Sequence, residues 1–374
     1  MTPPDSAPQR LHFLDNLRGF VVLLVIVLHG TMVYMAYAPE WWYVLDKQNS
    51  LFFTMLVLLI DVPIMPALFF LSGYFAMPSI KKRGAAVFLK DKLFRIGLPW
   101  VFGALFLAPL VTYFIYITRD VQVGYLQFWR RDFWGPMYQQ SVYWFLGVLF
   151  LFFVLQALAY TISPRIRSVT QQVARPGWKL WVGFTALMTA AYIFIGLYFP
   201  LDSWNRALVF MIQPLRAPLY IGYFLLGIVA WKQGWFTDEG YKPEIAPWIL
   251  VAMFSGLFYL SQRMAGPLPA GFSLRLVATG ILFNLFCLSA IIACALVFQR
   301  SVNRSDGAWG SLAANSYGMY YAHELILFPL AYVFVGIQLP LMIKAPLVLF
   351  LAILLTWAFS AWVLKKIPVV NKIF

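Results

Sequence analysis

The sequence contains little charge. Only 11% of its 374 residues are charged, whereas a soluble domain contains about 25%. Apolar residues make up 62% of the chain and the mean hydropathy is +0.77. So few charges and so many apolar groups exclude an ordinary soluble protein. The composition predicts an all-α, polytopic membrane protein.

Cysteine is almost absent. The only two cysteines, Cys287 and Cys294, lie in one apolar run. Two turns of helix separate them, which is too far for a disulfide. A disulfide framework and a thiol-based metal site are therefore excluded, and we expect no metal site. We also expect no cleavable signal peptide, because the first apolar run is long and no small-residue cleavage site follows a short one.

Acidic residues are also scarce. The chain has 14 Asp and Glu against 28 Lys and Arg, a net charge of +14. The basic residues lie mostly in loops, and most fall on one side of the membrane if the N-terminus is cytoplasmic. This bias predicts that both termini of the multi-pass membrane protein are cytoplasmic. Loop lysines can contact lipid headgroups. No soluble basic domain is present, so we expect no nucleic-acid partner.

Ten segments are apolar and long enough to span a membrane. They lie near 17–36, 51–77, 94–117, 142–162, 179–199, 215–232, 246–263, 274–298, 312–336 and 345–364. Pro63 and Pro66 predict a kink or break in the second segment. The Pro-rich residues 1–10 are predicted to form a disordered tail. Residues 11–374 are predicted to form a single integral membrane domain.

The first segment contains an arginine and a histidine on one helical face. Arg18 and His29 are eleven positions apart, which is almost three helical turns and roughly 16 Å along the axis. If Arg18 lies at the cytoplasmic interface, His29 lies near the centre of the bilayer. Ionisable groups at that depth are rare and usually line a cavity or pathway. The alternative is a structural histidine that hydrogen-bonds to a neighbouring helix.

A second histidine lies at a similar predicted depth. His323 is about ten residues into the ninth segment, or about 15 Å from its start, so it can share a chamber with His29. Glu324 follows it, and Asp61 lies at a similar depth in the second segment. Each carboxylate can instead be a buried partner for an arginine or histidine. For Asp61 we favour this role as a buried partner.

A basic pair precedes the third segment. Lys92 and Arg95 stand three residues apart on a predicted helix, just before Pro99. Such a pair can hold phosphate groups, with arginine as a two-pronged donor and lysine as a point charge. The loop residues Lys81 to Arg83 are explained by the orientation bias alone.

Five motifs together resemble the membrane-bound acyltransferase family 3. The spacing of Arg18 and His29 is similar to the hallmark of its first membrane helix. The other four motifs occur in the family's order: FFLSGYF (Phe69 to Phe75), KLFRIGLP (Lys92 to Pro99), SVYWFL (Ser141 to Leu146) and SYGMYYAH (Ser316 to His323). The loop layout is similar to that of the branch that succinylates periplasmic glucans.

The resemblance implies an O-acyltransferase that moves an acyl group from a cytoplasmic acyl-CoA to a hydroxyl of an envelope carbohydrate or glucan. It implies acyl-CoA as a co-substrate and no bound cofactor. His29 would be catalytic, with Arg18 as its companion, and Lys92 and Arg95 would bind the donor. The family often has a second arginine where this chain has Lys92, which changes a forked phosphate contact into a point-charge contact.

The chemistry of the transfer suggests roles for the remaining residues. His29 is expected to act as a general base. His323, Glu324 and Ser72 are candidates for acceptor binding or oxyanion support, although a Ser-Gly pair such as Ser72–Gly73 more often marks close helix packing. We favour direct transfer over an acyl-enzyme, because no Ser–His–Asp arrangement is visible in the sequence.

Two other functions remain open at this stage. A proton-coupled secondary transporter also uses membrane-centre histidines and carboxylates, together with broken helices. A non-catalytic scaffold for envelope assembly is the third possibility. The absence of an internal sequence repeat and the order of the motifs favour the enzyme. The identities of the acyl group and the acceptor are not determined by the sequence.

Overall fold

The computed structural model describes residues 11–237, 239–269, 271–368 and 370–374. Most of these residues are helical, because hydrocarbon leaves each backbone polar group to be satisfied within the protein. The predicted tail, residues 1–10, lies outside the described residues. The helices are α1 (His12–Met32), α2 (Leu51–Ile60), α3 (Ile64–Arg83), α4 (Ala85–Lys92), α5 (Leu98–Phe102), α6 (Ala108–Thr118), α7 (Tyr125–Gln127), α8 (Trp144–Ile162), α9 (Pro164–Arg167), α10 (Trp178–Gly196), α11 (Ala217–Lys232), α12 (Ala246–Met264), α13 (Leu274–Ser301), α14 (Gly307–Val335) and α15 (Leu341–Trp362).

Shorter elements connect these helices. The π-helical turns are Leu93–Gly97, Gly103–Leu107 and Phe128–Phe133, and the 3₁₀ turns are Ser141–Tyr143, Pro214–Arg216, Leu364–Lys366 and Val370–Lys372. The strands β1 (Asn205–Ala207) and β2 (Phe210–Ile212) pair antiparallel, with Arg206 opposite Met211. This hairpin lies between α10 and α11.

The protein is an all-α polytopic membrane protein. In the described part of the chain, nine helical stretches are long and apolar enough to cross a membrane. Nine of the ten predicted segments correspond to them. The seventh, 246–263, forms α12 but is not among the nine, because Gln262 and Arg263 lower the hydropathy at its end. The cytoplasmic location of the termini stays a prediction.

Proline shapes the second and third predicted segments. The break predicted at Pro63 and Pro66 is confirmed, since α2 ends at Ile60 and α3 begins at Ile64. The third segment is less regular than the sequence indicated, with π-helical turns on both sides of Pro99. Wide turns of this kind often occur at functional sites.

Four helix pairs organise the bundle. Helix α1 packs against α14, α14 against α15, α3 against α11, and α12 against α13. The α3–α11 crossing depends on two glycines. A Cβ added to Gly73 would lie 2.0 Å from the carbonyl oxygen of Phe224, and one added to Gly227 would lie 2.1 Å from that of Phe70. The backbones of α3 and α11 are therefore in direct contact, as small residues allow within membranes.

Gly73→Ala is expected to destabilise the protein. The new methyl group would overlap backbone, which cannot move away as a flexible side chain can, and overpacking of this kind costs about 1–3 kcal/mol or more. Thermal unfolding in detergent should show a lower Tm for Gly73→Ala. Gly183→Ala is the matched control, because its added Cβ meets no described atom within 4 Å. Equal Tm values for the two variants would contradict the backbone contact.

Candidate active site

The two membrane histidines are in contact. His29 lies near the end of α1, and His323 lies in the middle of α14, the helix that packs on α1. His29 Nδ1 is 2.8 Å from His323 Nε2, and the ring planes differ by 5°. The equal depth predicted from the sequence is therefore accompanied by a direct hydrogen bond. His323 is fully buried, whereas 17% of the His29 side chain is exposed.

The hydrogen-bond partners assign the tautomers of both rings. His323 Nδ1 is 2.7 Å from the carbonyl oxygen of Tyr320. A carbonyl can only accept, so His323 Nδ1 carries a hydrogen and Nε2 of the neutral ring is an acceptor. His29 Nδ1–H then donates to His323 Nε2. This arrangement leaves the lone pair of His29 Nε2 free to accept a proton.

A buried carboxylate completes the group. Glu324 Oε1 is 3.6 Å from His29 Nδ1, and only 2% of Glu324 is exposed. The hydroxyl of Ser141 donates to Glu324 Oε2. Glu324 is thus held where it can stabilise a positive charge on His29. We call His29, His323, Glu324 and Ser141 the histidine cluster.

Ser141 is the site residue that sequence reasoning missed. Its backbone has a φ of 48°, a conformation that is uncommon for a residue with a side chain. The available signal was its position as the first residue of the motif SVYWFL. No local pattern indicates that the 3₁₀ turn Ser141–Tyr143 meets α14 at Glu324.

Tyr43, which lies outside the membrane helices, is near the Glu324 carboxylate. The hydroxyl of Tyr43, in the loop between α1 and α2, donates to Gln139 Oε1 at 2.9 Å. Burial, with the nearby Glu324 carboxylate, raises the pKa of Tyr43 well above its usual value. Tyr43 therefore remains a neutral hydrogen-bond donor at physiological pH.

The remaining predicted residues line a cavity of about 580 Å³. Arg18, Ser72, Lys92 and Arg95 all contribute to its wall. Arg18 forms an ion pair with Asp15 at 3.2 Å. The cavity thus brings Lys92 and Arg95, the predicted donor-binding residues, together with Arg18. Their role in donor binding stays a prediction.

Lys92 is oriented by aromatic rings. Its ammonium group lies 5.5 Å from the centroid of Phe88 and 4.8 Å from that of Phe153. These distances are within the range of cation–π attraction. The lysine is therefore held at the cavity wall by neutral groups, and its charge remains available to an anion.

The tyrosines of SYGMYYAH fix the irregular helix that carries Arg95. Tyr317 donates to the carbonyl oxygen of Arg95 at 2.5 Å, and Tyr321 donates to that of Pro99 at 3.0 Å. Pro99 has no N–H to donate to the carbonyl oxygen of Arg95, whereas the carbonyl oxygen of Pro99 also accepts from the backbone N–H of Gly103. One face of α14 therefore positions the basic pair, while His323 and Glu324 of the same helix belong to the histidine cluster.

The structure divides the predicted site residues into two groups. Among the described residues, the cavity lining includes neither His29 nor His323 nor Glu324. Tyr320 joins the groups, since it lines the cavity and its carbonyl holds His323. Ser72 belongs with the basic residues rather than with His323 and Glu324, because the close α3–α11 contact at Gly73 fixes its place beside the cavity.

The histidine cluster also has residue types that bind metals. The ligand atoms of His29, His323 and Glu324 all lie within 4.8 Å of one another. In a tetrahedral zinc site, with bonds of about 2.0–2.1 Å, two ligand nitrogens would be about 3.4 Å apart. The observed 2.8 Å between the histidine nitrogens instead fits a shared hydrogen.

Asp61 has the structural role that the sequence favoured. It forms an ion pair with Arg216, whose side chain is 3% exposed. Arg216 also lies 3.8 Å from Asp202. The pairing joins the break between α2 and α3 to the start of α11.

Comparisons with known proteins identify the family of the chain. Residues 11–364 match a family model described as an acyltransferase domain. The chain is 25% identical over 240 residues to glucans biosynthesis protein C of Escherichia coli O6:K15:H31 (strain 536) and of Escherichia coli K12, covering 59% of this chain. The match spans 58% of the length of these relatives. Since the family model covers nearly the whole chain, the protein belongs to the acyltransferase 3 family of membrane proteins.

Proposed function

We propose that this membrane acyltransferase moves an acyl group from cytoplasmic acyl-CoA to a hydroxyl of an envelope carbohydrate, of which a glucan is the leading candidate. The protein would act in the inner membrane of the cell, without a bound cofactor. The free lone pair of His29 Nε2, set by the hydrogen bond to His323, supports this proposal most directly. The name of the E. coli relatives supports the choice of a glucan.

The basic cavity is suited to the donor. Acyl-CoA carries several phosphates, and Arg18, Lys92 and Arg95 offer three positive charges around one space. Arginine supplies paired hydrogen bonds to phosphate, and lysine supplies a point charge. With the phosphates held there, the pantetheine arm extends past Tyr320 toward the histidine cluster.

His29 would act as a general base in a direct transfer. Its Nε2 takes the proton from the acceptor hydroxyl while the hydroxyl oxygen attacks the thioester carbonyl carbon. The new ester C–O bond forms, the C–S bond breaks, and the CoA thiolate receives the proton from His29. During the step the imidazolium is stabilised by His323 Nε2 and by Glu324 Oε1, 3.6 Å from His29 Nδ1.

His29→Ala is expected to lower kcat by about 10²- to 10⁴-fold, the usual contribution of a general base. The assay is release of free thiol by protein reconstituted in liposomes. Acetyl-CoA and succinyl-CoA serve as donors, and the periplasmic glucan fraction from cells lacking the protein serves as the acceptor. Wild-type turnover in His29→Ala would contradict the base role. Movement of solute across the liposome without thiol release would instead indicate a transporter.

His323→Ala should lower kcat without changing KM for acyl-CoA. It removes the hydrogen-bond acceptor that orients His29, and it leaves the residues proposed to bind acyl-CoA in place. His323→Gln should retain part of the activity, since its amide oxygen can accept from His29 Nδ1. Steady-state kinetics of both variants, with Tm as a folding check, provide the measurement. Equal losses in the two variants at unchanged Tm would argue against the assigned tautomers.

Lys92→Ala combined with Arg95→Ala should raise KM for acyl-CoA, and the difference from wild type should shrink at high salt. Turnover of acyl-pantetheine, which lacks the nucleotide phosphates, should change little. Lys90→Ala is the matched control, because it removes a nearby lysine that is absent from the cavity lining of described residues. Unchanged KM in the double variant, or an equal defect with acyl-pantetheine, would contradict phosphate binding.

A further inference from the structure

The loop between α1 and α2, residues 33–50, brings Trp42 against His29 at the end of α1 away from Arg18. The ring of Trp42 lies 5.5 Å from that of His29, inclined by 41°. Trp42 also contacts the rings of Tyr43 and Phe328 at 5.1 Å and 5.6 Å. An indole ring thus lies beside the proposed base.

The end of α6 holds this loop by its backbone. The guanidinium of Arg119 donates to the carbonyl oxygens of Glu40 and Trp42, each at 2.7 Å. The hydroxyl of Thr118 lies 2.9 Å from the carbonyl oxygen of Tyr43 and 2.8 Å from that of Phe114. The two guanidinium hydrogen bonds therefore fix the backbone on either side of Trp41 and hold Trp42 in place.

A buried ion pair holds the second half of the loop. Lys344 of α15 lies 2.9 Å from Asp46, and both side chains are 1% exposed. The amide of Asp46 donates to the carbonyl oxygen of Val33 at 3.0 Å. Both ends of the segment are thereby joined to each other and to the bundle.

Two buried polar atoms in this loop, Tyr34 Oη and Trp42 Nε1, have no hydrogen-bond partner among the described residues, and the Trp42 ring is the one that contacts His29. Trp42 is 3% exposed, and its Nε1–H is buried without an acceptor among the described residues. Indole nitrogen is only a donor, and a buried donor that lacks an acceptor is costly. Placing such a group beside His29 is unfavourable for the empty protein and favourable once a ligand oxygen accepts from it.

We propose that the 33–50 loop forms the acceptor subsite, in which Trp42 Nε1–H donates a hydrogen bond to an oxygen of a hydroxyl-rich carbohydrate. This inference rests on the proposed function and adds the residue that holds its acceptor. The acceptor hydroxyl must reach His29 Nε2, and Trp42 is in ring contact with His29. Adjacent Trp41, 43% exposed, supplies an aromatic surface on which a sugar ring can stack.

The location of the 33–50 loop also separates the proposed carbohydrate acceptor from the proposed acyl-CoA donor. The cationic cavity contains Arg18 from the first half of α1, whereas the loop follows the end of the same helix. Donor and acceptor would therefore approach the histidine cluster from opposite ends of α1. With the N-terminus placed in the cytoplasm, the loop faces the envelope side, where the glucan is located.

Trp42→Phe tests the proposal, because it retains an aromatic ring against His29 and removes only the N–H and part of the ring. KM for the periplasmic glucan fraction should rise about three- to tenfold, the usual effect of losing one hydrogen bond. KM for acyl-CoA should remain unchanged. Tyr37→Phe is the control in the same loop, because the Tyr37 side chain is 73% exposed, and it should leave both values near those of wild type.

If the phenylalanine variant has a lower Tm, 3-benzothienylalanine at position 42 keeps the bicyclic shape and replaces the N–H with sulfur. Wild-type acceptor KM in either folded variant would overturn the proposal. A loss confined to kcat would also overturn it, since the N–H would then act on the reacting thioester. Absence of thiol release by the wild-type protein would instead refute the proposed function itself.

Discussion

A hydrogen bond between two histidines inside the membrane bundle is the constraint on which the site depends. Hydrocarbon offers no partner for a polar side chain, so each one must find its partner within the protein. His29 finds His323 at 2.8 Å, and His323 in turn donates to the carbonyl of Tyr320 at 2.7 Å. The same contacts that make burial tolerable also fix which nitrogen of His29 is free to accept a proton.

Helix α14 connects this constraint to the cationic cavity. Its tyrosines hold the carbonyls of Arg95 and Pro99, and its next turn supplies His323 and Glu324. The acyltransferase motifs thus describe one rigid face rather than isolated catalytic groups. On the opposite side, Arg119 and Lys344 fix the loop that covers His29. The proposed base therefore lies between a cationic cavity and an aromatic loop.

The sequence predicted the parts of the fold that follow from local patterns. Hydropathy located all ten helical segments, and Pro63 and Pro66 located the break between α2 and α3. Helical spacing also brought His29 and His323 to matching depth. The sequence could not predict the π-helical turns around Pro99, where backbone carbonyls accept from tyrosines more than two hundred residues away along the chain. Ser141 and Trp42 were missed for the same reason, since each meets the site only through tertiary contacts.

The most direct test of the account is an experimental structure of the protein with a non-transferable acyl-CoA analogue in which a methylene replaces the thioester sulfur. The account predicts nucleotide phosphates beside Lys92 and Arg95, and the analogue's carbonyl carbon close enough to His29 Nε2 for one acceptor oxygen to lie between them, about 3–3.5 Å from the carbonyl. A carbonyl that ends in the cavity, with Tyr320 still separating it from His29, would contradict the account.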